Sequence, residues 1–330
     1  MTENASNDKV EEEQDTPWTD DRVRWHEEFQ EEHEKQQATT NQADDDEEEE
    51  ESAFIDPFKD PDPFQSFQFS FQVDTSKITT TCTKSGGDDD DHRKDQHQEN
   101  EETIKEASRT VDIEIRGYKT GADQVWKSTG LTLWRAAEHL CQYMAKNPDI
   151  FQGKSVLELG AGLGLCGILA HKLGARKVCI TDGDSDALLH LRENVNTNKT
   201  ATTINTLPTN NNTVSAHQLI WGKDTTERFL RSKQQQQQPF DVLIASDIIY
   251  ARCIVEPLWE TVDLLLSRRQ DNNPPAVFVM AYAKREVPVS IEFVLEYAQA
   301  AGFSHKLVDE HPDGIWVYIF QRNNNTNTAL

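Results

Sequence analysis

From Ser155 onward the chain alternates two periodicities. Short apolar runs, SVLELG, KVCITD, FDVLIASD and AVFVMAYA, are each followed by a stretch with helical spacing: LGLCGILAHKLG, SDALLHLRENVNTN, VEPLWETVDLLLS and VSIEFVLEYAQAAG. A further strand-like run, SAHQLIW, precedes FDVLIASD. Strands that are apolar on both sides and separated by helix-length crossovers pack as a parallel sheet covered on both faces. The end of the chain breaks this rule. FSHKLVDE and IWVYIFQR are joined by HPDG, a turn sequence with no room for a helix, which predicts a terminal antiparallel hairpin. Upstream, VDIEIRGY alternates as a strand should. STGLTLWRAAEHLCQYMAKN then reads as a turn and an amphipathic helix, with Leu133, Ala137, Leu140, Cys141 and Met144 on one face.

Charge divides the chain sharply. Of the formal net charge of −25, residues 1–110 carry −23 and the remaining 220 carry only −2. The acidic part holds DDDEEEEE (Asp44 to Glu51) and DDDD (Asp88 to Asp91), and it cannot bury enough apolar surface to offset chain entropy. We therefore expect a largely disordered tail over 1–110, an ordered domain over 111–322 and a disordered C-terminus over 323–330. One stretch of the tail stands apart. In FQSFQFSFQV, Phe67, Phe69 and Phe71 recur at period two, which fits a linear motif, a strand added to a partner or to the chain's own sheet, or a sticky low-complexity segment. The Asn- and Gln-rich stretches TNKTATTINTLPTNNNT and SKQQQQQ fit surface-loop insertions.

An acidic tail repels nucleic acid and anionic membranes. Five cysteines without a CxxC pair read as buried thiols, and metal-ligand spacing is absent. No run approaches the roughly 20 apolar residues of a membrane span, and the first residues lack an apolar targeting core. The expectation is a cytoplasmic or nuclear monomer with no bound metal.

The chemistry concentrates where the first parallel strand ends. Gly160, Gly162 and Gly164 form a turn between strand and helix, which lets a ligand approach the backbone beside a helix start with unpaired N–H groups. The next strand ends on Asp182, about 20 residues on, where a carboxylate can accept from a ribose diol. Together they predict an adenosine-containing cofactor. The glycine turn alone does not separate NAD from S-adenosylmethionine. Glu158, placed where a carboxylate can meet a cofactor ammonium, the closing hairpin, and Ser246-Asp247-Ile248-Ile249-Tyr250 favour the methyl donor.

VLELGAGLGLCGILA, LIWG and SDIIY resemble the seven-strand class I methyltransferases, and in particular the family-16 protein-lysine methyltransferases. That group is marked by D-x-x-Y after strand four, Trp-Gly after strand three and G-x-x-x-W before the first core strand. Here these are Asp247 with Tyr250, Trp221 with Gly222, and Gly130 with Trp134, and the resemblance covers residues 111–322. It implies a Rossmann-like, doubly wound α/β fold whose mostly parallel seven-stranded sheet ends in an antiparallel hairpin. It further implies transfer of a methyl group from S-adenosylmethionine to a protein lysine, in substrates such as translation factors or chaperones. By the same resemblance Gly160, Ala161 and Gly162 hold the methionine and ribose portion, Asp182 the ribose hydroxyls and Trp221 the adenine. Ser246 lines the pocket floor, and Trp134 sits beside the cofactor's amino-acid end. Trp134 and Trp221 read equally well as core tryptophans, and Asp247 as the cap of a helix start. Asn194 and Asn196 read as a polar helix end.

Lysine, with a pKa of about 10.4, is protonated at neutral pH and must lose that proton before attack. A carboxylate favours the ammonium, so Asp247 is an anchor that draws in the amine, with Tyr250 walling its channel. A histidine or N-terminal amine acceptor, a small-molecule methyltransferase and a non-catalytic cofactor-binding protein are the alternatives. Asn273-Pro274-Pro275 only partly matches the signature of base or glutamine methylation, since the aromatic residue is missing.

Overall fold

The computed structural model describes residues 64–78, 109–119, 129–199, 212–232, 239–268, 274–285, 287 and 289–323. All of them lie within one compact unit, 61–330. The acidic runs, the two polar insertions in large part and the C-terminal residues fall outside the described set. Seven strands form the central sheet: β4 (Ser155–Leu159), β5 (Lys177–Asp182), β6 (Thr213–Gln218), β7 (Val242–Ser246), β8 (Val277–Ala283), β9 (Phe303–His311) and β10 (Ile315–Arg322). Their order is β6-β5-β4-β7-β8-β10-β9. β4 to β8 pair in parallel, while β10 runs antiparallel to both β8 and β9. This is the mixed sheet with a closing hairpin expected from the sequence, the Rossmann-like fold of class I methyltransferases.

The pleat explains how one sheet serves two cores. On β7, Val242 and Ile244 face one cluster while Leu243 and Ala245 face the other; on β8, Val279 and Ala281 oppose Phe278, Met280 and Tyr282. Period-two alternation of residues that are all apolar is what a doubly covered strand requires. The first cluster is closed by α1 (Arg135–Lys146), α2 (Leu165–Lys172) and α3 (Ser185–Lys199), through Leu140, Met144, Leu169 and Leu191. The second is closed by α4 (Lys223–Arg231), α5 (Val255–Leu265) and α6 (Ile291–Ala300), with Trp259 set among Phe278, Phe303 and Phe320.

The Phe-rich segment resolves one open question and moves the boundary of the ordered chain upstream of Val111. Gln65–Val73 is strand β1, paired antiparallel with β2 (Arg109–Lys119), so it adds to the chain's own sheet. Its inward residues Phe71 and Val73 join the first core with Val111, Ile113 and Ile115. A two-residue strand, β3 (Thr132–Leu133), pairs with the end of β2 and leads into α1. The other edge of β2 is satisfied by side chains. Asn194 accepts from the Arg116 N–H (2.9 Å) and donates to the carbonyls of Arg116 and Leu163 (3.1 Å each). Asn198, one turn on, does the same for Glu114 (3.2 and 2.6 Å). Both asparagines are buried, so this part of α3 is no mere polar helix end.

Candidate active site

Sheet order reverses direction between β4 and β7, and in doubly wound sheets ligands bind outside the strand ends at such a point. Glu158, Gly160, Asp182, Ser246 and Asp247 all lie at the ends of β4, β5 and β7, so the fold gathers residues spread over ninety positions.

The glycine turn is shaped by what surrounds it. Gly160 (φ 60°) and Gly162 (φ 51°) sit in the left-handed region. A Cβ at Gly160 would stand 2.8 Å from Ile248 Cγ2 and 3.2 Å from the Trp221 ring; one at Gly162 would stand 2.9 Å from the Gly130 carbonyl. Trp221 and the Gly130 segment therefore press against the turn, and Trp221 is half-buried there rather than sunk in the core. Ala161 lies half-buried between the two glycines.

Part of the N–H set of the turn and helix start is already engaged within the chain. Ala161 N–H donates to the Thr181 carbonyl (2.9 Å), Gly162 N–H to Asp182 Oδ2 (2.8 Å) and Gly167 N–H to Glu158 Oε2 (2.8 Å). Carboxyl groups of Asp182 and Glu158 hold two of these three, so the turn is braced from within the chain. Asp182 also accepts from the Asp184 N–H (2.9 Å), so it braces the turn as well as ending β5. Burial raises its carboxyl above the ordinary range, against the pull of those backbone N–H groups.

Glu158 departs from its expected place. Its side chain is 1% exposed, turned under α2 against Gly167, and burial pushes its carboxyl up to about 8. A direct contact with a cofactor ammonium is replaced by support of the helix start. A carboxyl raised in the folded state adds stability below about pH 4.5 that is lost as pH rises through about 8. Glu158→Gln keeps an acceptor for Gly167 but cannot ionise. It should melt close to the parent at pH 5 and roughly 5–10 °C higher at pH 8.5, read from thermal melts across pH. Parallel melting curves at both pH values would remove the ionisation from this account.

Asp247 is the only non-glycine residue with positive φ (60°) among the described residues. Its N–H donates to the Ala281 carbonyl (3.0 Å), and its carboxylate, 5% exposed, forms an ion pair with Arg285. Burial raises the Asp247 carboxyl, and the Arg285 guanidinium and the Ala283 backbone oppose that rise. Arg285 in turn lies 4.3 Å over the ring of Trp134, whose Nε1–H donates to the Thr129 carbonyl (2.9 Å). Trp134 thus serves as a platform for the cation that pairs with Asp247. The helix-cap alternative for Asp247 does not hold, because α5 begins only at Val255 with no side-chain cap. Tyr250 is 40% exposed at the rim. Ser246 ends β7, with Cys166 Sγ 3.9 Å from its Oγ. Arg285 went unnoticed in the sequence, as nothing in its spacing links it to Asp247. No group of side chains among the described residues could hold a metal.

Residues 120–296, more than half of the chain, match the family described as lysine methyltransferase. The chain belongs to the lysine methyltransferase family. The chain is 32% identical over 183 residues to the protein N-terminal and lysine N-methyltransferase EFM7 of Kluyveromyces lactis, covering 53% of this chain and 66% of that protein. It is 27% identical over 201 residues to efm7 of Schizosaccharomyces pombe, covering 60% and 72%. With the human protein-lysine N-methyltransferase EEF2KMT it shares 30% over 193 residues, covering 58% and 56%. The chain thus spans just under two thirds of the first of these relatives and little over half of the third. S-adenosylmethionine is the cofactor that membership implies; the bare glycine turn, the Trp221 ring packed against Gly160 and the Asp182 carboxyl at the end of β5 are the residues that would hold it.

Proposed function

We propose that this chain transfers the methyl group of S-adenosylmethionine to the side-chain amine of a lysine in a protein. The observation that carries this is Asp247, a buried carboxylate next to the glycine turn that already holds a cation, Arg285. A site that pairs a cation there can receive an ammonium. When bound, the cofactor supplies an electrophilic methyl carbon on sulfur. This chain's residues position the acceptor: Asp247 orients the amine, Tyr250 walls the rim, and Trp134 and Trp221 shield the flanks. Attack needs the neutral amine, so the proton leaves to solvent first; the new bond is N–C, the broken one C–S, and its electron pair stays on sulfur.

The names of two relatives include N-terminal methylation, which favours an α-amine as a second acceptor. We further read the substrate as a translation factor or chaperone, met by a monomer in the cytoplasm or nucleus. The strongly acidic first third argues against nucleic acid. The test is incubation of the full chain with labelled cofactor and cell extract, followed by peptide mass spectrometry. Methyl-lysine on defined proteins is expected. A methylated small molecule with no methylated protein would overturn the proposal.

A further inference from the structure

A cavity of about 470 Å³ opens beside the Asp247–Arg285 pair. Arg252, Lys284 and Arg285 line it with Glu292, and the stacked rings of Tyr282 and Trp316, 5.9 Å apart, form one wall. In residues 111–330, which together carry a formal net charge of −2, this is a local concentration of positive charge. Arg252 rests on the Phe293 ring at 4.3 Å, and neither it nor Lys284 forms an ion pair with another described residue within 4.0 Å.

The ion pair sets a condition on any acceptor. An ammonium arriving at Asp247 competes with Arg285 for a carboxylate that is only 5% exposed, and to the extent that it wins, Arg285, whose side chain is 26% exposed, loses its anion. Breaking a buried pair by removing one partner is the costly outcome, whereas exchanging partners is not. Resting on the lysine-methylation reading above, we propose that the acceptor segment carries an Asp or Glu close to the methylated lysine. The lysine takes Arg285's place on Asp247, and the neighbouring carboxylate enters the cavity and takes over Arg285. Arg252 and Lys284 supply the remaining attraction, and the Trp134 ring keeps the guanidinium aligned during the exchange. One ion pair stands before the exchange and two stand after it, and no charge is stranded. A basic or apolar flank leaves Arg285 unpartnered and is selected against.

The test offers the full-length chain and labelled S-adenosylmethionine two acceptors: a synthetic peptide library with a fixed central Lys and randomised flanks, and a whole-cell protein extract. Methyl-lysine sites are read by mass spectrometry. Asp or Glu within a few positions of methyl-lysine should be enriched about tenfold, the effect of one charge-assisted contact. Arg252→Glu with Lys284→Glu should abolish that enrichment while labelled cofactor still binds. Arg252→Ala with Lys284→Ala serves if the reversed charges prevent folding. Methylated sites with no acidic enrichment, or the same enrichment in the variants, overturn the acidic-flank proposal and leave lysine methylation standing. Cofactor binding without methyl-lysine in either acceptor overturns the underlying reading, and this proposal falls with it.

Discussion

Asp247→Asn is expected to bind S-adenosylmethionine like the parent chain and to lose methyl transfer by about 100-fold or more. Asparagine tolerates the left-handed backbone that Asp247 adopts (φ 60°), so the loop should keep its course. What disappears is the charge. Without it the acceptor ammonium has no anchor, and misplacing a reacting group by even about 1 Å costs on the order of 100-fold in rate. Arg285 also loses its anion, and since its side chain is 26% exposed part of that loss is recovered from water. The variant should therefore melt several degrees lower without unfolding at ambient temperature. Isothermal titration with cofactor and a methylation time course separate the two effects. Methyl transfer at the parent rate would show that the carboxylate is a structural partner of Arg285 alone.

Asn194→Ala should be the most damaging change away from the reacting groups. It removes one acceptor and two donors from the backbone of Arg116 and Leu163, in a place closed to water. At about 1 kcal/mol per bond, and more where water cannot replace it, the loss is roughly 3–5 kcal/mol, or about 10 °C in melting temperature. Leu163 lies inside the glycine turn, so cofactor affinity should fall as well. Asn196, two positions on and exposed, is the internal control: its replacement by Ala should leave both quantities unchanged. Equal melting of the Asn194 and Asn196 variants would refute this role of Asn194.

The contrast between those two asparagines shows why part of the site was invisible in one dimension. Asn194 and Asn196 have the same side chain in the same helix, and both read as a polar helix end. Only the first faces β2, because a helix turns about 100° per residue and two steps carry a side chain to the far side. The Phe-rich run posed the same difficulty. Its period of two specified a strand, while the partner β2 lies nearly forty residues downstream across a stretch with no distinguishing pattern. Glu158 was read from its position at a strand end, and the sign of the pleat turned it under α2. Asp182 and Ser246 end core strands and Trp221 stands just beyond one, positions that periodicity alone could locate.

By itself the sequence determined the doubly wound sheet, its closing hairpin and the glycine turn, because periodicity and turn chemistry are local properties. It also marked Asp247 and Tyr250, whose spacing matches the methyltransferases. The tertiary structure alone decided what each buried polar group does. It bound the turn's N–H groups to carboxyls, gave Asp247 a cation, stacked that cation on Trp134 and set a basic cavity beside it. Hydrogen bonds and ion pairs act over about 3 Å in space with no regard for distance along the chain, so these pairings exist only once the sheet has brought the strand ends together.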